Sequence, residues 1–366
     1  MTMATTVHVI VGARPNQMKA APLLKALRSS DDFEPVLIDT GQHYDHEMAG
    51  IFMEQFSMGQ PDICLEVGSA SHGVQTARIL ERYEAILLEE KPGAVVVIGD
   101  VNSTVACTLA AAKLGIFTVH LEAGLRSFDR GMPEELNRLV TDVLADLLWT
   151  PSPDGDEHLL AAGVAPERID RVGNIMIDTL VSMLPSFQTM EQYSIYGVAP
   201  HEYAVVTLHR PSNVDDPSVL SDVLDLLLNH ATTLPMIWPL HPRTRARIQA
   251  LGRMEEIEQF SGLHLTPPLG YLEFMSCVAS SRCVITDSGG IQEETTWLGV
   301  PCLTLRPNTE RPITITAGTN VLTTPSRLNE DLALVLEGPI RHEISIDLWD
   351  GMTAQRCVDS LRKHLR

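Results

Sequence analysis

Short apolar runs alternate along this chain with longer segments in which apolar residues recur every three or four positions. The short runs are typical of buried parallel strands, and the longer segments are typical of amphipathic helices. In the first half the predicted strands cover residues 7–11, 36–38, 94–98, 117–120 and 147–149, and the predicted helices include residues 18–27, 74–90 and 104–113. The pattern therefore predicts repeated strand-helix-strand units.

A second set of short runs follows the turn-rich residues 151–155, with strands near 172–173, 204–208, 236–239, 264–266, 284–285 and 302–305. At 366 residues the chain is long enough for two cores of similar size. We predict an α/β protein of two Rossmann-like domains with parallel sheets. The first would cover residues 1–175 and the second 176–351, with a C-terminal helix at 352–366 crossing back to the first domain.

Charge and composition limit the partners. The chain has 47 acidic and 27 basic residues, a formal net charge of −20, which argues against nucleic acid or an anionic membrane as a partner. Its six cysteines form no C-x-x-C pair, and we expect them to be reduced and structural. The N-terminus lacks a signal-peptide pattern and no apolar run reaches membrane-spanning length, so we expect a cytoplasmic protein.

Polar residues collect where the predicted strands end, which is where doubly wound sheets bind ligands. In the first half these residues are Arg14, Lys19, Asp100 and Glu122. Asp100 has an alternative role as a helix N-cap. Glu122 favours a functional role, because carboxylates are seldom buried without a partner. In the second half His209 and His241 follow strands, and each could also be an ordinary strand-end histidine.

The segment from Thr286 to Glu294 predicts a strand, a glycine turn and a helix. Ser288, Gly289 and Gly290 would present free N–H groups at the helix N-terminus, where a phosphate binds well. Glu294 would accept a hydrogen bond from a ribose hydroxyl. The alternative is a serine N-cap followed by two turn glycines.

Four further features have two interpretations each. Glu134 follows Pro133 at the start of a predicted helix, where an ion pair with Arg138 would explain it without chemistry. We assign that helix an apolar packing face. Arg311 could clamp a phosphate or anchor its loop, and Tyr271 or Phe274 could stack on a nucleobase or pack in the core. The cluster at residues 43–47 lacks zinc-site spacing, so we expect it to line a substrate-facing loop rather than to bind a metal. The residues of the apolar face are Leu136, Leu139, Val140, Val143 and Leu144.

Several motifs in order along the chain resemble those of the non-hydrolysing UDP-N-acetylglucosamine 2-epimerases. The matching segments are residues 12–19, 41–43, 99–100, 120–126, 133–138, 209–210, 287–294 and 309–312. The chain departs from the resemblance at Asn16, where many members carry glutamate. It also departs at residues 44–46 and 211–212, where regulated members bind an activating nucleotide sugar, so the resemblance does not predict allosteric activation.

The resemblance implies a GT-B-like fold with the active site in the interdomain cleft, a homodimer, and no cofactor or metal. It implies elimination of UDP from a UDP-amino sugar, a 2-acetamidoglucal intermediate and re-addition at the opposite C2 configuration. The alternatives are a hydrolysing epimerase, an epimerase of a modified UDP-amino sugar, and a GT-B-type glycosyltransferase. The implied catalytic residues are Asp100, Glu122, Glu134 and His209. The expected substrate-binding residues are Arg14, Lys19, His241, Phe274, Ser288, Gly289, Gly290, Glu294 and Arg311.

Overall fold

The computed structural model of the protein describes residues 4–42, 56 and 58–365, apart from the side chain of Arg14. The chain divides into two compact units. The first comprises Met1–Val181 and Asp347–Arg366, and the second comprises Ser182–Ile346.

The first unit is built on a sheet of seven parallel strands in the order β3-β2-β1-β4-β5-β6-β7. All five residues of β4 are apolar and buried, as expected for a central strand with both faces covered. The order reverses between β1 and β4, which opens a crevice at their carboxyl ends. The strands are β1 (Thr5–Val11), β2 (Phe33–Asp39), β3 (Ile63–Cys64), β4 (Ala94–Ile98), β5 (Phe117–Leu121), β6 (Leu147–Thr150) and β7 (Ile169–Arg171).

Helices connect these strands. Three of the helices given below begin at or just before a proline, whose fixed φ suits the first helical turn. They are α1 (Arg14–Arg28), α2 (His72–Glu90), α3 (Asn102–Lys113), α4 (Pro133–Leu144), α5 (Pro153–Ala161) and α6 (Ile175–Gln188), with a 3₁₀ turn at Pro166–Arg168. The two units divide within α6, after Val181.

The second unit repeats the plan with six parallel strands in the order β10-β9-β8-β11-β12-β13. Counted within the unit, this is 3-2-1-4-5-6, the order of dinucleotide-binding sheets. The prediction of two Rossmann-like α/β domains with parallel sheets is confirmed. The strands are β8 (Ala204–Thr207), β9 (Met236–Pro239), β10 (Leu263–Thr266), β11 (Cys283–Thr286), β12 (Cys302–Leu305) and β13 (Asn320–Thr323).

The helices of the second unit cover both faces of its sheet, and its core gathers around the buried Trp238. A 3₁₀ helix, Gln192–Tyr196, precedes β8. The helices are α7 (Pro211–Val214), α8 (Pro217–Ala231), α9 (Pro242–Ala250), α10 (Met254–Glu258), α11 (Tyr271–Ala279), α12 (Ile291–Leu298), α13 (Ile313–Thr316) and α14 (Leu328–Glu337).

The last helix, α15 (Thr353–His364), belongs to the first unit. Its N-terminus is held by Asp178, whose carboxylate accepts hydrogen bonds from the backbone N–H groups of Thr353 at 3.0 Å and Ala354 at 2.7 Å. Trp149 donates its indole N–H to Ser360 on the same helix at 2.8 Å. No described helix is long and apolar enough to cross a bilayer.

Three strands differ from the sequence prediction. The strand expected near 172–173 ends at Arg171, because Gly173 turns the chain with a φ of +97°. The pattern missed β3 and β13 altogether. Both lie at the edge of a sheet, and their short sequences carry no long apolar run.

Candidate active site

The carboxyl edge of the first sheet gathers Lys19, Asp100, Glu122 and the N-terminus of α4. The chain leaves β1 through Gly12, where an added Cβ would lie 2.0 Å from Ser103 Oγ, so no side chain fits there. Helix α1 then places Lys19 against the carboxylate of Glu122 as a buried ion pair. Both groups also approach Gly99, which follows β4 with a φ of +66°.

Glu122 holds an unusual backbone conformation for a non-glycine residue, with a φ of +73°. Such a residue costs roughly 1–3 kcal/mol and persists only where its surroundings fix it. Here the backbone N–H groups of Glu122 and Ala123 both donate to Trp149 O, at 3.1 and 3.0 Å. Its buried Oε1 has no hydrogen-bond partner among the described residues. The site therefore holds a carboxylate oxygen available for proton transfer.

Asp100 is not a helix N-cap. The N-cap of α3 is Val101, and no side chain caps it. The carboxylate of Asp100 instead pairs with Arg138 of α4 and keeps 31% of its side chain exposed. Asn137, on the same helix, donates to the backbone oxygen of Asp100 at 2.9 Å.

Arg138 pairs with Glu135 at 2.8 Å and with Asp100, and no ion pair joins it to Glu134 among the described residues, so the alternative that Glu134 pairs with Arg138 is wrong. Glu135 is buried and also accepts hydrogen bonds from the N–H and Oγ of Ser127. Within the described residues, no hydrogen bond or ion pair is recorded for the half-exposed Glu134. The first turn of α4 thus offers one carboxylate fixed in the structure and one open to a ligand.

A buried network behind this edge links α4 to the ends of β4 and β5. His120 faces oxygen atoms with both ring nitrogens, Asp142 Oδ1 at 2.6 Å and Gly99 O at 2.8 Å. Arg126 pairs with the other oxygen of Asp142 at 2.6 Å. Burial alone would raise the pKa of Asp142, but His120 and Arg126 hold it below its usual value.

The expected packing of α4 through its apolar face is wrong. The buried residues of the helix are Glu135, Arg138, Thr141 and Asp142. On the opposite side, Leu136 is 40%, Val140 44% and Val143 72% exposed. The polar face turns inward because it connects the buried network, and three of the five residues of the apolar face are left exposed.

In the second unit the crevice lies between the ends of β8 and β11, where His209 follows one strand and Asp287 the other. The fully buried carboxylate of Asp287 accepts hydrogen bonds from the backbone N–H groups of His209 and Arg210 and from Asn213 Nδ2, at 2.9 to 3.1 Å. His209 Nδ1 lies 3.2 Å from Asp287 Oδ1. Burial lowers the pKa of His209.

His241 lies next to His209, with 5.5 Å between the ring centroids. It is the N-cap of α9, and its Nδ1 accepts a hydrogen bond from the backbone N–H of Arg243 at 3.2 Å. This exposed histidine therefore has a structural contact and a free face toward solvent.

The turn from β11 into α12 contains the three residues expected to bind a phosphate. Ser288 donates its backbone N–H to Thr286 Oγ1 at 3.0 Å, so the prediction that this N–H is free is wrong. At Gly289 an added Cβ would lie 2.6 Å from Glu310 Oε1, so glycine is required there. At Gly290, the N-cap of α12, no atom of the described residues outside its own turn lies within 4 Å of that position. The helix N-terminus is thus open at Gly290, whereas Glu310 packs directly against Gly289.

A buried ionic layer braces this turn. Arg311 pairs with Glu310 at 2.6 Å and Glu293 at 3.0 Å, and Arg306 pairs with Glu310 at 2.9 Å. Burial alone would raise the pKa of Glu310, but Arg311 and Arg306 hold it well below its usual value. Arg311 is therefore anchored by carboxylates beside the proposed phosphate site.

Glu294 lies in the same helix, and burial raises its pKa to about 7 while a hydrogen bond with Tyr271 opposes that shift. Tyr271 is buried against this carboxyl group. Phe274, one turn along α11, is half-buried.

Two expectations fall outside the described residues: the contacts of the Arg14 side chain and the cluster at 43–47. In the part of the chain that the structure describes, no group of three histidine, cysteine or acidic residues could hold a metal ion.

The sequence profile of the UDP-N-acetylglucosamine 2-epimerase family matches residues 25–362. The chain belongs to this family. Its members are isomerases, and so is this protein. The chain is 40% identical over 321 residues to the UDP-N-acetylglucosamine 2-epimerase of Methanococcus maripaludis, covering 86% of this chain and 87% of that protein. It is 38% identical over 322 residues to the UDP-2,3-diacetamido-2,3-dideoxy-D-glucuronate 2-epimerase of Pseudomonas aeruginosa, covering 87% of this chain and 88% of that protein.

Among solved structures, the UDP-GlcNAc 2-epimerase of Methanocaldococcus jannaschii in complex with UDP-GlcNAc and UDP matches with a TM-score of 0.88 and 34% identity. That match covers 98% of this chain and 99% of the other. A lipopolysaccharide outer core galactosyltransferase matches with a TM-score of 0.56 and 14% identity, covering 98% and 99% of the two chains. This second likeness concerns the fold alone. The epimerase family member described here therefore has a GT-B-like fold.

Sequence reasoning named Arg138 only as a partner of Glu134, and it gave no role to Glu135, Asp142 or Asp287, although all four residues organise these two edges. The first three were detectable, because residues at positions i, i+3 and i+7 share one face of a helix. For Asp287 the signal was its place directly after the apolar strand β11, the same signal that singled out Glu122.

Proposed function

We propose that this family member catalyses the reversible C2 epimerisation of UDP-N-acetylglucosamine to UDP-N-acetylmannosamine. The route is elimination of UDP to a 2-acetamidoglucal, followed by re-addition of UDP and of a proton at C2. Asp100, Glu122, Glu134 and His209 are assigned to acid–base catalysis. The remaining expected residues, in particular Ser288, Gly289, Gly290 and Glu294, are assigned to substrate binding.

The observation that carries the proposal is Glu122, a strained, buried carboxylate with one unpartnered oxygen at the end of β5. The C2–H of an amino sugar is a weak acid, because no carbonyl group adjoins C2. As UDP leaves C1, the developing positive charge acidifies this proton, and a carboxylate can remove it. A positioned general base contributes about 10²–10⁴-fold to such a step.

Proton transfer must occur on two faces of the sugar ring, which calls for more than one acid–base group. The first unit offers Glu134, half-exposed, and Asp100, whose carboxylate is 31% exposed. A glycosyltransferase needs no proton transfer at C2 and has less use for these carboxylates together with Glu122. This set therefore favours an epimerase over a transferase of the same fold.

The departing diphosphate must be stabilised and retained for re-addition. The open N-terminus of α12 at Gly290 supplies N–H groups and a partial positive charge for this purpose. Arg311 adds a cation whose position is fixed by Glu293 and Glu310. The neighbouring Glu294 is suited to a ribose hydroxyl.

The direct test is incubation of the full chain with UDP-N-acetylglucosamine in deuterated water. We expect the manno epimer to form and deuterium to appear at C2 of both nucleotide sugars. If neither is found, the proposal is wrong. Stoichiometric release of UDP with free N-acetylmannosamine would indicate a hydrolysing epimerase instead.

A modified substrate is the second candidate, because the relative from Pseudomonas aeruginosa that acts on a diacetamido glucuronate is 38% identical to this chain, close to the 40% of an epimerase named for UDP-N-acetylglucosamine. The kcat/KM values for the two nucleotide sugars decide between them. We expect the higher value for UDP-N-acetylglucosamine, and the opposite ranking would reassign the substrate.

We also propose that the protein is a homodimer. The support is the exposed apolar face formed by Leu136, Val140 and Val143 on α4, which a second copy of the chain would cover.

A further inference from the structure

Asp287 occupies the reversal point of the second sheet, immediately after β11. Its side chain is fully buried and accepts hydrogen bonds from three donors on the segment that follows β8. Oδ2 lies 3.0 Å from the backbone nitrogen of His209, 2.9 Å from that of Arg210 and 3.0 Å from Asn213 Nδ2. These contacts fix the loop that carries His209.

The other carboxylate oxygen faces the imidazole ring. Asp287 Oδ1 lies 3.2 Å from His209 Nδ1, and 40% of the histidine side chain remains exposed. A carboxylate can only accept at this distance, so it favours the neutral tautomer that carries its proton on Nδ1. The lone pair is then on Nε2.

We infer that Asp287 is a positioning residue that holds His209 in the Nδ1–H tautomer and leaves Nε2 free to accept a proton. Serine protease triads use an aspartate in the same way to orient their histidine. The inference rests on the proposed function for the role of His209 in turnover, but the tautomer itself is a property of the protein without substrate.

Other charged groups near the ring act against Asp287. Burial, His241, Arg210 and Arg243 all disfavour the imidazolium form, whereas Asp287 favours it. The pKa of His209 is lowered overall, so the ring is neutral at pH 8 and its tautomer can be observed there. His241 and Arg243 both lie at the start of α9, so the pKa of His209 depends on that segment as well as on Asp287.

The variant Asp287→Asn separates orientation from loop support. Its amide oxygen can occupy the Oδ2 position and keep one hydrogen bond from each of the three donors, while the second contact of the His209 backbone N–H, 3.1 Å to Oδ1, is lost. Its NH₂ group then faces His209 Nδ1 and requires an acceptor there, which moves the ring proton to Nε2. We expect kcat for nucleotide-sugar epimerisation to fall by about 10²–10⁴-fold.

The measurement is ¹⁵N NMR of histidine-labelled full-length protein at pH 8, with His209→Gln used to assign the signal. The unaltered protein should show a protonated Nδ1 in His209, and Asp287→Asn a protonated Nε2. Titration should also give a lower pKa for His209 in the variant, because the carboxylate that favours the imidazolium is gone. A purely structural role would change neither readout.

Asn213→Ala is the matched control, because it removes a donor from Asp287 Oδ2 and leaves the Oδ1 contact with the ring. It should lower stability without changing the tautomer. The inference is overturned if His209 carries its proton on Nε2 in the unaltered protein, or keeps it on Nδ1 in Asp287→Asn. A tautomer change with unaltered kcat would overturn the role in turnover. Absence of epimerase activity in the unaltered protein would instead contradict the proposed function, and the NMR result would still stand.

Discussion

At the scale of single residues, Glu122 combines backbone strain with a buried ion pair. The left-handed conformation and the contact with Lys19 place a charged carboxylate where solvent does not reach. Removing one partner of a buried pair leaves the other charge uncompensated, and this is the costly step rather than loss of the attraction itself.

We therefore predict that Glu122→Gln lowers the free energy of unfolding by about 3–5 kcal/mol, because Lys19 remains buried without a counter-charge. Adding Lys19→Met should recover most of that loss, and urea unfolding of the four proteins in the cycle measures the coupling. Glu122→Gln alone should also lower kcat by about 10²–10⁴-fold, the contribution of a general base. Glu90→Gln, at the exposed end of α2, serves as the control. Unchanged turnover in Glu122→Gln would remove this residue from the mechanism.

Glu294 predicts a pH dependence of stability. Its pKa is about 7 in the folded protein, against about 4.3 in an unfolded chain, so the folded state binds more protons between these values. Stability must then fall as pH rises through that window. Glu294→Gln has no ionisable group at this position. Its free energy of unfolding should therefore rise by about 3 kcal/mol relative to that of the unaltered protein between pH 4 and pH 8.

Urea unfolding from pH 5 to pH 8 measures the difference between the two proteins. Tyr271→Phe is the matched control, because losing its hydrogen bond should raise the pKa of Glu294 further and extend the window upward. A stability difference that does not vary with pH would contradict the assignment to Glu294.

At the scale of elements, α4 shows how a correct pattern can be assigned to the wrong side. Its start at Pro133 and its apolar stripe were predictable from the sequence, but the stripe faces outward. Glu135, Arg138 and Asp142 form the inner face because each has a polar partner outside the helix. Those partners lie between 8 and 38 residues away, and local periodicity does not reveal which partner a polar side chain will find.

Asp142→Asn should test this inner face. It leaves the buried Arg126 without its counter-charge, and we expect a loss of about 3–5 kcal/mol in the free energy of unfolding. Because His120 also holds Gly99 O, next to Asp100, kcat should fall as well. Asp129→Asn, in an exposed turn, is the control and should cost less than about 1 kcal/mol. A stability loss with unchanged kcat would show that the network supports the fold only.

At the scale of the whole molecule, the two parallel sheets were predictable because the central strands are short, mostly apolar runs followed by polar residues. The pairings across each sheet were not. Lys19 and Glu122 are 103 residues apart, and His209 and Asp287 are 78 apart, so only the strand order brings them together. The sequence predicted that Lys19, Glu122 and His209 belong to the site. It could not predict the ion pair between Lys19 and Glu122 or the contact between Asp287 and the imidazole of His209.

The net charge of −20 and the uncovered face of α4 together predict how the assembly responds to salt. Two chains of this charge repel each other, and an apolar interface is not weakened by screening, so association should tighten as ionic strength rises. Val140→Glu would place a carboxylate in the interface and should give monomers. Leu334→Glu makes the same change at a 67% exposed position on α14 and should leave the mass unaltered. Sedimentation velocity at low and high salt measures both effects. Equal masses for Val140→Glu and the unaltered protein would mean that another surface forms the dimer, and a monomer at every concentration would mean that α4 has no partner copy.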